Sequence, residues 1–533
     1  MKINLALFLF LFVHFAAAQN HQKRFESIDV QHYIFEIQLN DTTDRIEGKA
    51  NILVKFLKSS ENLQLDLIGL NDSTSAGMKV KNVVFDGKPV NFIHKNDKLK
   101  INFDREIGSG ETVNVGIIYL GIPADGLIIS ENKFGDRTFF GDNWPNRARY
   151  WLPTVDHPSD KATLDFLVFA PEHYKVVSNG QLENELDLGN GIKFTNWKEK
   201  KPISTKLMVI GVAPFIEADL GRYKNAEVSC WVFPQNAKEG ISDFAYGLRP
   251  LSYFSQTIGA YSYEKLAHVQ SKTKYGGMEN ASCIFYAERA ISGKQKIESL
   301  IAHETAHQWF GNSVTEQNWH HLWLSEGFAT YLTHRYEKFY YGDEVFKSGL
   351  IDDRKQVIEY AHKKMAPVID TTVTDYLQLL NANSYQKASW FLHMLRNKIG
   401  DKVFAQTLQE YYLNFRDSTV LTDDFKDITE KNSKQDLDEF FHQWLWQPGL
   451  PVLKWQWKQK SNGEIRIKIT QVQKKVLFHF PLEIKLLPQN EEKSQVKTLE
   501  VSDRKTSISI VPKRKIKDIQ LDPDVKLLFE LNE

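Results

Sequence analysis

Cysteine is nearly absent from this chain. Two residues, Cys230 and Cys283, occur in 533. That is too few for a disulfide framework, and too few alone for a structural metal cluster. Two buried thiols are expected rather than a bridge. A surplus of either charge is also missing: 67 basic and 67 acidic residues cancel, so no nucleic acid or anionic membrane is called for as partner. Internal repeats and low-complexity tracts do not occur, and beyond the N-terminus no stretch is apolar enough to span a bilayer. What remains is an ordinary globular composition, 42% hydrophobic and 25% charged, in a chain too long for one core. About three domains are expected.

The one strongly apolar run opens the chain. "MKINLALFLFLFVHFAAAQN" places Lys2 before an apolar stretch from Ile3 to Phe15 and ends in Ala16-Ala17-Ala18. This is the pattern of a secretory signal peptide, cut after Ala18. The run is shorter than the ~20 residues of a membrane helix, and no cysteine follows it for lipid attachment. The mature chain is expected to begin near Gln19 and to be secreted or periplasmic.

From about residue 31 to 216 short alternating runs dominate, such as "HYIFEIQL", "ANILVKF" and "TVNVGIIYL", with turns such as "DGKP" and "GSGE" between them. Period-two alternation at this spacing predicts an all-β domain over 19–222. Helical spacing then takes over around 243–259, 294–311, 322–340, 384–399 and 435–446. This middle region, 223–447, ends where Pro448-Gly449 breaks the last helix. Alternation returns in "LKWQWKQ", "EIRIKIT" and "FPLEIKLL", predicting a small antiparallel β-sandwich over 448–533.

The chemistry lies in the middle region. "HETAHQWFGN" (303–312) sets His303 and His307 four positions apart, one above the other on a helix face, where both can reach one ion. Zinc accepts neutral imidazole, and a catalytic zinc needs a third protein ligand and one open position. Glu304 stands where a base for the attacking water belongs. A pattern this short also arises by chance on an ordinary polar face, so support is needed from elsewhere. It comes from Glu326, separated from His307 by eighteen residues. Its neighbours Leu324, Phe328, Ala329, Tyr331 and Leu332 fit a buried helix face, where a carboxylate is costly without a partner such as a metal. Upstream, "KTKYGGMENASCIFY" follows the strand-like "EKLAHVQ"; its two glycines allow close approach of a ligand to the backbone.

"GGMEN", then "HETAH", then Glu326 in "WLSEGFATY", then Tyr385 in "NSYQKASWFL" resembles, in order and spacing, the gluzincin aminopeptidase family, which includes aminopeptidase N and leukotriene hydrolase. The resemblance is strongest over about 260–400 and extends to "RARYWLPTVDHPSDKATLDF" and "PGLPVL". It implies a multidomain α+β fold: an N-terminal antiparallel β-domain, a thermolysin-like catalytic domain and a C-terminal β-sandwich. It also implies one Zn2+ per chain on His303, His307 and Glu326, with Glu304 as general base and Tyr385 as oxyanion donor. Gly276, Gly277, Met278, Glu279 and Asn280 would bind the substrate, Glu279 taking the free α-ammonium of a peptide and Met278 forming a floor of the side-chain pocket.

Three departures stand out. Where the family carries a second acidic or amide anchor for the ammonium, this chain has Trp144, with Asp142 and Asn143 beside it. "WHHLWL" brings His320 and His321 near the third ligand, in supporting rather than ligating roles. Many members also carry a large helical C-terminal domain; this sequence is read as a short form without it, with a more open site. The leading expectation is a zinc aminopeptidase acting on peptides with a free N-terminus. Its rivals are a thermolysin-like endopeptidase, which would have no use for Glu279, an epoxide hydrolase, and a catalytically dead scaffold, which would need neither base nor ligands.

Overall fold

In the computed structural model the described residues are 24–474, 476–489, 494–512 and 515–532. The expected signal peptide therefore lies outside them. The chain divides into two compact units. Among the described residues, one comprises 24–318 and 415–420, the other 319–414 and those from 421 on.

The first unit begins with an eight-stranded sheet. Strand Ile46–Phe56 shows why it forms: Ile46, Ala50, Ile52, Val54 and Phe56 are buried while Glu47, Lys49 and Lys55 face solvent, the period-two signature of a half-buried strand. The sheet is not wholly antiparallel as expected. Ile28–Gln38 pairs antiparallel with Ile46–Phe56 but parallel with Lys161–Pro171. A parallel neighbour requires a long crossover, which the intervening chain supplies; alternation within a strand carries no signal of its partner's direction. The segment returning to this sheet is tied down by charge. Asp66 is fully buried and accepts from Arg24 Nη1 at 2.9 Å and from the backbone N of Asp156 at 2.9 Å. Burial alone would raise its carboxyl, but the charges of Arg24 and Arg149 outweigh that and hold it well below the usual carboxylate range.

A five-stranded sheet follows, in the order Ile216–Tyr223, Ala226–Val232, Lys265–Ser271, Cys283–Ala287, Gly277–Met278. Its centre is parallel and its edges antiparallel. Every residue of the middle strand is buried, as expected for a strand covered on both faces. Cys230 and Cys283 lie in the strands on either side of it, and both are free and buried. Burial pushes the two thiols up to about 12 and about 11. Gly277–Met278 lies at the sheet's edge, and helix Glu298–Ala306 comes after strand Cys283–Ala287.

The second unit holds helices Trp323–Tyr341 and Asp343–Lys363, joined at Gly342, whose φ of +91° suits glycine. Ala388–Ile399 and Thr422–Ser433 follow. The C-terminal strands form two small sheets, one of four strands and one of three. They alternate as expected, with Ile465, Ile467 and Ile469 buried in one and Leu482, Ile484 and Leu486 in the other. One pair, Val452–Gln459 with Glu530–Leu531, is parallel. Among the described residues no helix is long and apolar enough to cross a membrane.

Candidate active site

His303 sits within helix Glu298–Ala306, and His307 is the residue that caps it. One turn apart, their Nε2 atoms approach to 3.2 Å and their rings stand nearly perpendicular, at 85°. Two nitrogens bound to one zinc at their usual distance, at a tetrahedral angle, lie about 3.3 Å apart. The spacing therefore fits one shared ion. His307 Nδ1 lies 3.2 Å from the Phe310 carbonyl; a proton donated there leaves the Nε2 lone pair free for a metal.

Two carboxylates join this pair in the same unit. Glu279, Glu304 and His307 offer ligand atoms that all lie within 4.8 Å of one another. Glu304 is buried and rests against the chain at Gly277, where an added Cβ would come within 2.2 Å of its Oε1. Gly276 faces open space instead. Met278 and Glu279 are buried at 3% and 5% exposure, and Asn280 is fully enclosed. The Asn280 carbonyl accepts from the Cys283 N, while its side-chain amide makes no hydrogen bond among the described residues.

Glu326, buried, lies in the first turn of helix Trp323–Tyr341. The sequence pattern anticipated both its helix and its burial. Tyr385, half-buried, lies in a π-helical turn, Asn383–Lys387, that leads into helix Ala388–Ile399. The expected helix over 384–399 is there, but its wide first turn could not be read from residue spacing. Such turns recur at functional sites.

Two family models match the chain, the peptidase M1 N-terminal domain over residues 29–207 and the peptidase family M1 domain over 246–444. The chain belongs to peptidase family M1. Among curated M1 relatives it is 27% identical to probable aminopeptidase 1 of Sulfurisphaera tokodaii, over 80% of this chain and 54% of that one. It is 30% identical to glutamyl aminopeptidase of Rattus norvegicus, over 60% of this chain and 35% of the relative. The chain thus spans about half or less of these relatives' length. In fold it is similar to a solved M1 zinc metallopeptidase mutant from Deinococcus radiodurans, with a TM-score of 0.66, 23% identity, and coverage of 79% of this chain and 94% of that one.

Two of the three departures from the M1 pattern have structural answers. Asn143 spends its side chain on the fold: Nδ2 donates to Thr205 O and Met208 O, and Oδ1 accepts from Trp151 Nε1. Asp142 is paired with Arg147 at 2.8 Å, and its other oxygen accepts from Lys274 N at 3.1 Å. Both side chains are thus engaged within the fold. Trp144 is buried, its ring edge-on to Tyr275 at 6.0 Å. His320 Nε2 lies 2.9 Å from Val373 O, and His321 Nδ1 lies 2.7 Å from Thr422 Oγ1; burial pulls His321 down to about 4. Both serve their own unit's packing.

Residue reasoning passed over Gln308 and Asn312, although both stand in "HETAHQWFGN". Each is fully buried, and each donates a side-chain amide to the carbonyl of Glu279, at 2.9 Å and 2.6 Å. The available signal was a pair of amides just past the helix that carries the histidines, which reads equally as a solvated turn.

Proposed function

We propose that this chain is a zinc-dependent aminopeptidase that removes the N-terminal residue from peptides. The observation that carries the reading is the meeting of the His303 and His307 Nε2 atoms at 3.2 Å, with the Glu304 and Glu279 carboxylates beside His307. His303, His307 and Glu326 would hold one Zn2+, a set of two imidazoles and one carboxylate that leaves a position open. When bound, the ion polarises the scissile carbonyl and lowers the pKa of the attacking water. Names among the relatives, which include probable and glutamyl aminopeptidases, support the same reading.

The remaining work falls to this chain's own side chains. Glu304 takes the proton of the attacking water and delivers it to the leaving amine. Tyr385 donates its hydroxyl to the developing oxyanion; loss of such a donor typically costs about 3 kcal/mol. Glu279 receives the substrate's α-ammonium, and with Asn143 and Asp142 committed elsewhere it acts without a second anchor from that segment. The edge strand Gly277–Met278, open at Gly276, is placed to pair with the peptide backbone as an added strand. Met278 would floor the first side-chain pocket, and Asn280 closes the binding segment. The opening "MKINLALFLFLFVHFAAAQN" supports export, with cleavage after Ala18, and the two C-terminal sheets are taken as the expected sandwich.

The test pairs a free-amine aminoacyl anilide with its N-acetylated twin, with and without a zinc chelator. The expected result is cleavage of the free form only, abolished by chelation and restored by zinc. Equal cleavage of both would overturn the aminopeptidase reading in favour of an endopeptidase.

A further inference from the structure

The turn that follows helix Glu298–Ala306 and the segment after Met278 are joined by side-chain amides. Gln308, next in the chain after His307, uses both ends of its amide. Its Nε2 donates to Glu279 O at 2.9 Å, and its Oε1 accepts from Ser282 N at 2.9 Å. Asn312 Nδ2 adds a second donor to Glu279 O at 2.6 Å. The turn from Glu279 to Ser282 is also gripped from its other side. Asn179 Nδ2 donates to Ala281 O at 2.7 Å, Gly180 N donates to Ser282 Oγ at 2.7 Å, and that hydroxyl donates to the buried Glu199 at 3.2 Å. Ser282 takes a φ of +58°, a left-handed conformation that persists only where its surroundings enforce it.

We propose that Gln308 and Asn312 are positioning residues that set the register between the amine anchor and the metal-binding helix, and so fix where the substrate is cut. The inference rests on the aminopeptidase reading and deepens it. In a peptide substrate the α-nitrogen and the carbonyl to be cleaved flank a single α-carbon, so the distance between the groups that receive them has almost no slack. Displacements of about 1 Å in such sites cost on the order of a hundredfold in rate, and site geometry must hold to about 0.5 Å. Here the path from anchor to ligand is short: the Glu279 carbonyl, one hydrogen bond to Gln308, and one peptide link to His307. The Glu279 carbonyl holds two amide donors at once, so its peptide plane cannot turn without breaking a buried bond. Asn312 N in turn donates to His307 O at 3.0 Å, closing the loop back onto the ligand.

The experiment compares the full chain with Gln308→Met, Glu279→Gln and the double variant, on the free-amine anilide and its N-acetylated twin, with zinc content measured for each. Methionine keeps the length of Gln308 and removes both hydrogen bonds. The expected result for Gln308→Met is a fall of about tenfold or more in kcat/KM on the free-amine substrate, carried mainly by KM, with zinc per chain unchanged. In the Glu279→Gln background the same change should cost less than about threefold, because the group it positions is already disabled. Equal losses in both backgrounds, or loss of zinc in step with activity, would overturn the inference alone. A Glu279→Gln variant that keeps its full free-amine preference would overturn the anchor reading and this inference together. Asn312→Ala removes a single donor, so it carries the same expectations where Gln308→Met fails to fold.

Discussion

At the scale of single residues, the buried polar groups sort by whether their partners lie in the fold or in the chemistry. His334 belongs to the fold. It is 2.9 Å from Asp353 and 3.5 Å from Glu337. Burial opposes its charge, but the hydrogen bond to Asp353 and the negative charges of both carboxylates outweigh burial and raise its pKa to about 9. A histidine raised on folding binds its proton more tightly in the native state. Its contribution is therefore complete below the unfolded value near 6.5 and drains away as pH rises through about 9. The shift corresponds to about 3 kcal/mol. Urea unfolding of wild type and His334→Gln should differ most below pH 6 and converge toward pH 9.5. A difference that stays constant across that range would show that the imidazolium is not the stabilising species.

At the scale of elements, what could be read from residues depended on the width of the buried face. Strand Ile46–Phe56 was legible because every second residue is apolar and buried. The first metal motif was legible because two histidines and a glutamate declare themselves on any helix. Helix Asp343–Lys363 was not anticipated, and its buried residues explain why: only Phe346, Leu350, Asp353 and Val357, spaced four, three and four apart. So narrow a stripe, one member of which is charged, disappears among the surrounding lysines, aspartates and glutamates. Thr422–Ser433 escaped for the same reason, burying little beyond Phe425 and Ile428. The parallel strand pair and the π-helical turn at Tyr385 are set by tertiary context, which spacing does not encode. The stripe can be tested at its centre. Leu350 is fully buried, so Leu350→Ala should destabilise by about 2–5 kcal/mol, read as a lower urea midpoint at unchanged slope. A cost below about 1 kcal/mol would show that the stripe is not the packing face of this helix.

For the whole molecule, the proposed metal links function to stability, and that link can be measured apart from catalysis. A ligand that binds only the folded chain stabilises it by an amount set by its concentration over its dissociation constant, about 2.7 kcal/mol at a hundredfold excess. Ion binding at the proposed set should therefore register as a rise in melting temperature. Chelator-treated protein should melt at a lower temperature than zinc-loaded protein, with the difference restored on adding zinc back. Two variants separate the roles. Glu304→Gln should keep the zinc-dependent shift while losing peptidase activity, because it removes the base and leaves the ligands intact. His307→Ala should lose both, since it removes one of the two nitrogens that meet at 3.2 Å. A zinc-dependent shift of full size in His307→Ala would place the stabilising ion elsewhere, and the ligand assignment would fall even if activity remained sensitive to chelation.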